Sequence, residues 1–134
     1  MTRRSPSPAA ALLLLATVTF ACGRGDTASI ELQRVRSGAT EVVLLSSHEA
    51  LRHGNDRFFV EFRSSADGSL VDAGEVRGSA TMPMPGMPMF GSIAVKPTGT
   101  VGRYAVESSF EMAGTWRMTL EWQGGSATFS TSVQ

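Results

Sequence analysis

The chain has 134 residues, a formal net charge of zero at pH 7 and one cysteine, Cys22. A nucleic-acid-binding protein of the basic type is excluded, because the sequence contains no cluster or run of Lys and Arg. An internal disulfide is also excluded, so a domain of this size must rely on an apolar core for its stability.

The N-terminus has the organisation of an export signal. Arg3 and Arg4 precede an uncharged apolar stretch over residues 9–21, which matches the charged region, apolar region and small-residue cleavage site of a signal peptide. The stretch is shorter than the roughly 17 to 25 residues of a membrane-spanning helix. The sequence therefore predicts a signal peptide over residues 1–21 and a mature protein in the cell envelope.

The cysteine follows this stretch directly, in the run Thr19-Phe20-Ala21-Cys22-Gly23. The run resembles a bacterial lipobox, in which the cysteine is lipidated and becomes the first residue of the mature protein. Thr19 and Phe20 depart from the usual pattern, which favours Leu and a smaller residue there. We expect lipidation of Cys22, a flexible tether over residues 22–28, and an anchored domain on the periplasmic or extracellular face. Plain secretory cleavage after Ala21 is the alternative.

The remainder of the chain has the pattern of an all-β domain over residues 29–134. Short runs of alternating apolar and polar residues are separated by Gly, Asp, Ser or Pro, and no stretch has helical periodicity. Several short strands at regular spacing indicate a sandwich or a barrel. The predicted strands are residues 29–35, 41–46, 57–63, 74–81, 92–96, 103–110, 115–122 and 127–132.

Two of these strands define the predicted core. Period-two alternation places the aromatic residues of 115–122 on one face, and it leaves Phe59 in 57–63 as an exposed or edge aromatic residue. The structural core is predicted to contain Phe58, Val60, Phe62, Tyr104, Trp116, Leu120 and Trp122.

The connections between the strands are predicted from their small and polar residues. Gly68 supplies the positive φ of a tight turn over residues 66–69. Gly124 and Gly125 form a two-residue hairpin loop between the last two strands. Residues 51–55 are polar and are assigned to a loop.

The second half of the chain carries a recognisable pattern. A Gly-x-Tyr strand entry is formed by Gly102 and Tyr104, a Met-Ala-Gly-x-Trp corner runs from Met112 to Trp116, and a Met/Pro-rich segment precedes both. These motifs resemble the YtkA-like domain, close to the FixH-like proteins, over roughly residues 53–122. The resemblance implies an immunoglobulin-like β-sandwich of about seven or eight short antiparallel strands. It also implies a setting beside copper efflux or oxidase assembly, with a copper transporter or an oxidase-assembly protein as the partner.

The Met/Pro-rich segment has the chemistry of a copper site. Thioether sulfur is a soft, neutral donor that favours Cu(I) over hard cations and needs no deprotonation. The prolines stiffen the segment and keep it out of a central strand, while Gly86 permits a bend. We therefore predict a projecting loop that binds Cu(I). Its candidate ligands are Met82, Met84, Met87 and Met89.

Two other interpretations of this segment stay open. Methionine is an adaptable filler of apolar gaps, so the loop can instead pack against Trp116 or Phe90. Exposed methionines also form adaptable docking surfaces, in which case the module binds a protein and no metal. Met112 is predicted to be a core residue, and His48 and His53 are predicted to be solvated rather than metal ligands.

No catalytic set is recognisable in the sequence. Nucleophilic catalysis needs a histidine oriented against Ser, Thr or Cys, and no motif provides one. A blue-copper site requires a thiolate with two histidines, and Cys22 is committed to the anchor or lies in the tether. We therefore expect a protein without enzymatic activity, with Cu(I) as its only candidate cofactor.

Overall fold

The computed structural model describes residues 29–134. The predicted signal peptide, Cys22 and the predicted tether lie outside these residues. The described part is all-β, and it contains no helix long and apolar enough to cross a membrane. Its eight strands are β1 Ile30–Ser37, β2 Thr40–Ser46, β3 Gly54–Ser64, β4 Arg77–Met82, β5 Met89–Pro97, β6 Arg103–Phe110, β7 Gly114–Trp122 and β8 Gly125–Val133.

The strands pair antiparallel in the order β1-β2-β3-β6-β5-β4-β7-β8. β5 belongs to both halves of this order, because its first residues pair with β4 and residues from Ser92 onward pair with β6. The first and last strands of the order, β1 and β8, lie next to each other. The result is one nearly closed sheet of eight strands, folded into two facing halves around one apolar core. It confirms the predicted antiparallel, sandwich-like all-β fold.

The core is built by period-two alternation on facing strands. Phe58, Val60 and Phe62 of β3 point inward, as do Trp116 and Leu120 of β7. All five side chains are completely buried. Each such burial removes apolar surface from water at about 25 cal/mol per Å², which a domain without disulfides requires.

Three aromatic residues of the core and its margin meet toward the opposite end of the sandwich from Trp116. The Phe62 ring stands edge-on to the rings of Tyr104 and Trp122, with centroids 5.3 and 4.9 Å apart. Tyr104 is buried, and Trp122 is only partly buried and packs against the core from its margin. Phe59, on the outer face of β3, is partly covered by the Arg103 guanidinium, 4.5 Å from the ring centroid.

Some boundaries differ from the prediction. β3 begins at Gly54, because β6 continues to Phe110 and gives its first residues a partner. Leu51 is not in a purely polar loop: it is completely buried and forms a bridge with Val133. The hairpin loop of β7 and β8 is residues 123–124, one position earlier than predicted. Trp122 pairs with Gly125, a register that directs the apolar side chains of β8 inward.

The two ends of the sandwich carry different sets of connections. The methionine end, as we call it, contains residues 47–53, 83–88 and 111–113, together with the beginning of β1 and the end of β8. The opposite end contains residues 38–39, 65–76, 98–102 and 123–124.

Candidate functional site at the methionine end

The Met/Pro-rich segment forms the tip of the β4–β5 hairpin. Met82 ends β4 and Met89 begins β5, and the two residues are paired across the ladder. Residues 83–88 form the connecting loop, in which Gly86 has a φ of 80°, a conformation that glycine adopts without strain. The hairpin therefore brings the two halves of the segment back toward each other around Gly86.

The four candidate ligands divide into two pairs by exposure. Met82 is buried, with 7% of its surface exposed, and Met89 is partly buried against the core. Met84 and Met87 are 43% and 77% exposed. The inner pair therefore fixes the base of the hairpin, and only the outer pair presents its side chains to solvent.

Met82 is held in place by the corner between β6 and β7. A Cβ atom added at Gly114 would lie 2.6 Å from Cε of Met82, closer than real Cβ contacts come. The Met82 methyl group is the flexible end of its side chain and could shift, but Gly114 also has a φ of 143°. Glycine is therefore favoured in the Met-Ala-Gly-x-Trp corner by its backbone conformation as well as by this close approach. The corner and the methionine loop form one continuous surface.

The sequence-based expectation that Met112 is a core residue is wrong. Its side chain is 42% exposed. The space beneath the corner is filled by the indole of Trp116, whose Nε1 donates a hydrogen bond to the main-chain oxygen of Met112 at 3.0 Å. The backbone of Met112 thus faces the core while its side chain does not.

Met112 is a candidate ligand that the sequence pattern missed. β5 and β6 pair Ser92 with Ser109, and continuing this register toward the methionine end brings Met89 level with Met112. The exposed thioethers beside the loop are therefore those of Met84, Met87 and Met112. The position of Met112 in the chain could have indicated its exposure. It lies in a three-residue turn between strands, where alternation no longer directs a side chain inward.

The two histidines lie in residues 47–53 at the methionine end, and they differ in which ring nitrogen carries the proton when the ring is neutral. Nδ1 of His48 is 3.3 Å from the guanidinium of Arg52, which can only donate, so this nitrogen accepts. Nδ1 of His53 is 3.0 Å from the main-chain oxygen of Gln134, which can only accept, so this nitrogen carries the proton. A neutral His53 therefore keeps a free lone pair on Nε2, and a neutral His48 does not.

The orientation of His53 resembles that of a metal ligand, since ligating histidines usually donate their other N–H to a carbonyl or carboxylate. A single imidazole is not a site, however. Within residues 29–134 no group of three or more His, Cys, Asp and Glu side chains is placed to hold a metal ion. Soft-metal chemistry at this end therefore depends on the thioethers.

The opposite end has polar contacts instead of exposed sulfur. The Tyr104 hydroxyl donates a hydrogen bond to the main-chain oxygen of Gly74 at 2.8 Å and lies 3.3 Å from the Asp72 carboxylate. Burial raises the pKa of Tyr104, and the negative charge of Asp72 raises it further. A shallow cleft there is lined by Asp72 and Trp122, with no soft donor among its lining residues.

Comparisons with known proteins concern the family and the fold. The model of the YtkA-like family matches residues 35–121, which include the methionine loop and the corner. No curated protein matches the chain. Among solved structures, the chain is similar to the crystal structure of the Lin-41 filamin domain, at 15% identity and a TM-score of 0.48, over 63% of this chain and 81% of that chain.

Proposed function

We propose that this chain, which belongs to the YtkA-like family, is a lipid-anchored module of the cell envelope that binds Cu(I) at its methionine end. The observation that carries the proposal is the exposure of Met84 and Met87 on a proline-rich hairpin tip. Side chains this exposed contribute little to the core, so their presence at the loop tip supports a role in binding.

Thioether chemistry favours Cu(I) at this site. A methionine sulfur is uncharged and soft, and it cannot compensate the dehydration of Zn(II) or Mg(II) as carboxylates or imidazoles do. It also forms no disulfide, which suits an oxidising compartment. Met112, at the adjoining corner, provides a third exposed sulfur beside those of the loop.

The fold supports binding by fixing the base of the loop. Met82 and Met89 are paired across the ladder and packed on the core, and the prolines between them restrict φ. A segment with fewer accessible conformations loses less entropy when it closes on an ion. The tip is thus partly organised before the metal arrives.

The test is a Cu(I) titration of the mature protein against a competing chelator. Replacing Met84 and Met87 together by Leu keeps the apolar bulk and removes the sulfur. Cu(I) affinity is expected to fall at least tenfold, or about 1.4 kcal/mol, while stability without metal stays unchanged because both side chains are exposed. Met118→Leu is the matched control, since this methionine is completely buried in β7.

Equal Cu(I) affinity in the wild type and the double variant would remove the copper assignment. Titration with Zn(II) and Mg(II) under the same conditions is expected to give no comparable binding, because neither ion prefers thioether ligands.

The anchoring part of the proposal depends on Cys22 and has its own test. Acyl chains on this residue hold the protein at the membrane, since each buried methylene contributes about 0.8 kcal/mol and more than one chain is attached. Cys22→Ala is expected to move the protein from the membrane to the soluble fraction. A variant that still sediments with membranes contradicts lipidation at this position.

A protein-docking function without metal is the second candidate, favoured by Phe90. This side chain is 69% exposed and has no atom that ligates Cu(I). The double Met→Leu variant separates the two functions, because it preserves an apolar docking surface and removes the metal donors. Retained binding to a transporter or assembly protein, without copper binding in the wild type, favours docking.

A further inference from the structure

Exposed apolar side chains are concentrated at one end of the domain. Across residues 29–134, only one of the large exposed hydrophobic residues, Val101, lies at the opposite end. The others lie at the methionine end or beside it. They are Ile30, Met84, Met87, Phe90 and Met112.

The chain enters the sandwich from the same end. β1 runs antiparallel to β2, and its first residue, Ile30, pairs with the last residue of β2, Ser46. Ile30 also lines a cleft with residues of the 47–53 connection. Whatever precedes Ser29 therefore joins the domain on the side of the methionine end.

The length of chain before Ser29 limits how far the domain can lie from its anchor. Cys22 is separated from Ser29 by seven peptide units, which span at most about 25 Å when fully extended. β3, with 11 residues, is itself about 36 Å long. The methionine end is therefore the part of the domain nearest to the bilayer when the strands stand upright on it.

Charge distinguishes the two ends in the same direction. Residues 82–90 contain no charged side chain, whereas the 65–76 connection at the opposite end carries Asp67, Asp72 and Glu75 and no basic residue. An acidic loop is repelled by the anionic lipids of a membrane surface, and an uncharged apolar loop is not. The other connections of the methionine end carry Glu49, Arg52 and Glu111. The connections of the methionine end therefore have one net negative charge, and those of the opposite end have three.

We infer that the methionine end is a membrane-contacting surface, with Met84, Met87 and Phe90 inserted into the interfacial region of the phospholipid bilayer. The inference rests on lipidation of Cys22, as in the proposed function. A weak contact is sufficient, because the anchor keeps the loop at a high local concentration next to the lipid. The domain then stands on its methionine end with the acidic loop away from the membrane.

A pair of spin-labelled variants tests this orientation. The only native cysteine is Cys22, so acylation leaves no free thiol and an introduced cysteine is labelled alone. Met87→Cys and Val101→Cys form a matched pair, because the native side chains are 77% and 65% exposed at the two ends. The mature lipoprotein carrying each label is reconstituted in phosphatidylcholine vesicles. Collision rates are then measured with lipid-soluble oxygen and with a water-soluble nickel complex.

The ratio of oxygen to nickel accessibility is expected to be severalfold higher for the label at position 87 than for the label at position 101. Adding Met84→Ser and Phe90→Ser to the Met87→Cys variant should lower its ratio toward that of position 101, because the apolar contact is removed while the tether is kept. An unchanged ratio would show that the loop lies near the bilayer without contacting it through these side chains, and it would overturn the inference.

Flotation of the same vesicles separates the possible failures. If the protein floats with the lipid while both labels are exposed to water, the anchor is correct and the membrane contact is overturned. The same result is expected if the surface binds a membrane protein instead of lipid. Protein that does not float shows that the anchor is wrong, and the inference fails with it. The Cu(I) titration is made in the absence of vesicles, so neither result affects it.

Discussion

The two ends of the sandwich are stabilised in different ways, although the same strands run between them. At the opposite end, loops are joined to the sheet by hydrogen bonds, such as those from Arg63 to the Gly68 oxygen at 2.7 Å and from the Phe62 amide to the Gly102 oxygen at 2.8 Å. At the methionine end, residues 83–88 are held through the strand residues on either side. The 47–53 connection of the methionine end is also hydrogen-bonded, through the main chains of Leu51 and His53, to Gln134. The difference therefore concerns the methionine loop, residues 83–88, which depends on the core beneath it.

The largest expected effect comes from the core beneath the methionine loop. Trp116→Ala removes a completely buried indole and its hydrogen bond to Met112. Such a change typically costs about 3 to 5 kcal/mol, a large part of the stability of a small domain. Urea unfolding measures the loss. Phe90→Ala, at an exposed site of the same end, serves as the control and is expected to change stability by less than about 0.5 kcal/mol.

Trp116→Ala with wild-type stability would mean that the methionine end does not depend on its core. A large loss of stability in the control, Phe90→Ala, would show that the exposed surface itself stabilises the fold.

Two glycines with similar φ values compare the ends directly. Gly102 has a φ of 84° and Gly86 a φ of 80°, so alanine at either position incurs the left-handed strain of about 1 to 2 kcal/mol. At Gly102 the new Cβ would also lie 2.7 Å from the main-chain oxygen of Val71, whereas nothing lies within 4 Å at Gly86. Gly102→Ala is therefore expected to destabilise more than Gly86→Ala in urea unfolding. Equal losses would contradict the close packing of Gly102 against the 65–76 connection.

The smallest effect is the titration of Tyr104, the only tyrosine in the chain. Burial and the Asp72 charge raise its pKa above the ordinary value of 10.0. Because the folded state favours the neutral phenol, this contribution to stability is complete below pH 10.0 and is lost as the pH rises through the folded-state pKa. Phenolate absorbance reports the titration without interference from a second tyrosine.

Asp72→Asn removes a negative charge near the hydroxyl and is expected to lower the pKa of Tyr104. Glu75→Gln is the control, because Glu75 belongs to the same connection but pairs with Arg77 at 3.1 Å. A Tyr104 that titrates at its ordinary pKa, or whose pKa does not change on Asp72→Asn, is inconsistent with a buried hydroxyl beside the Asp72 carboxylate.

The strands were predictable because their signal is local. Phe58, Val60 and Phe62 recur at every second position of β3, and their neighbours are charged except for Phe59. This period of two is typical of a half-buried strand. Strand ends were less predictable, because they depend on a partner: Gly54 belongs to β3 only because β6 extends to Phe110. The hairpin loop at residues 123–124 was misplaced by one position for the same reason.

The candidate site was predictable as a segment and not as a set of side chains. The composition of residues 82–89 identifies a loop with soft donors. Proline restricts φ and methionine provides a thioether wherever they occur in the fold. Composition does not reveal that Met82 lies against Gly114 while Met87 is exposed, because that depends on what the neighbouring strand places beside each residue.

The all-β class, the inward faces of the strands and the place of the methionine loop between β4 and β5 follow from the sequence, because alternation and proline act within a few residues. The exposure of each sulfur, including that of Met112, depends instead on contacts between distant parts of the chain. That outcome depends on Trp116, which fills the core beneath the corner and binds the Met112 backbone. It also depends on the register of β5 and β6, two strands whose alignment no local pattern specifies.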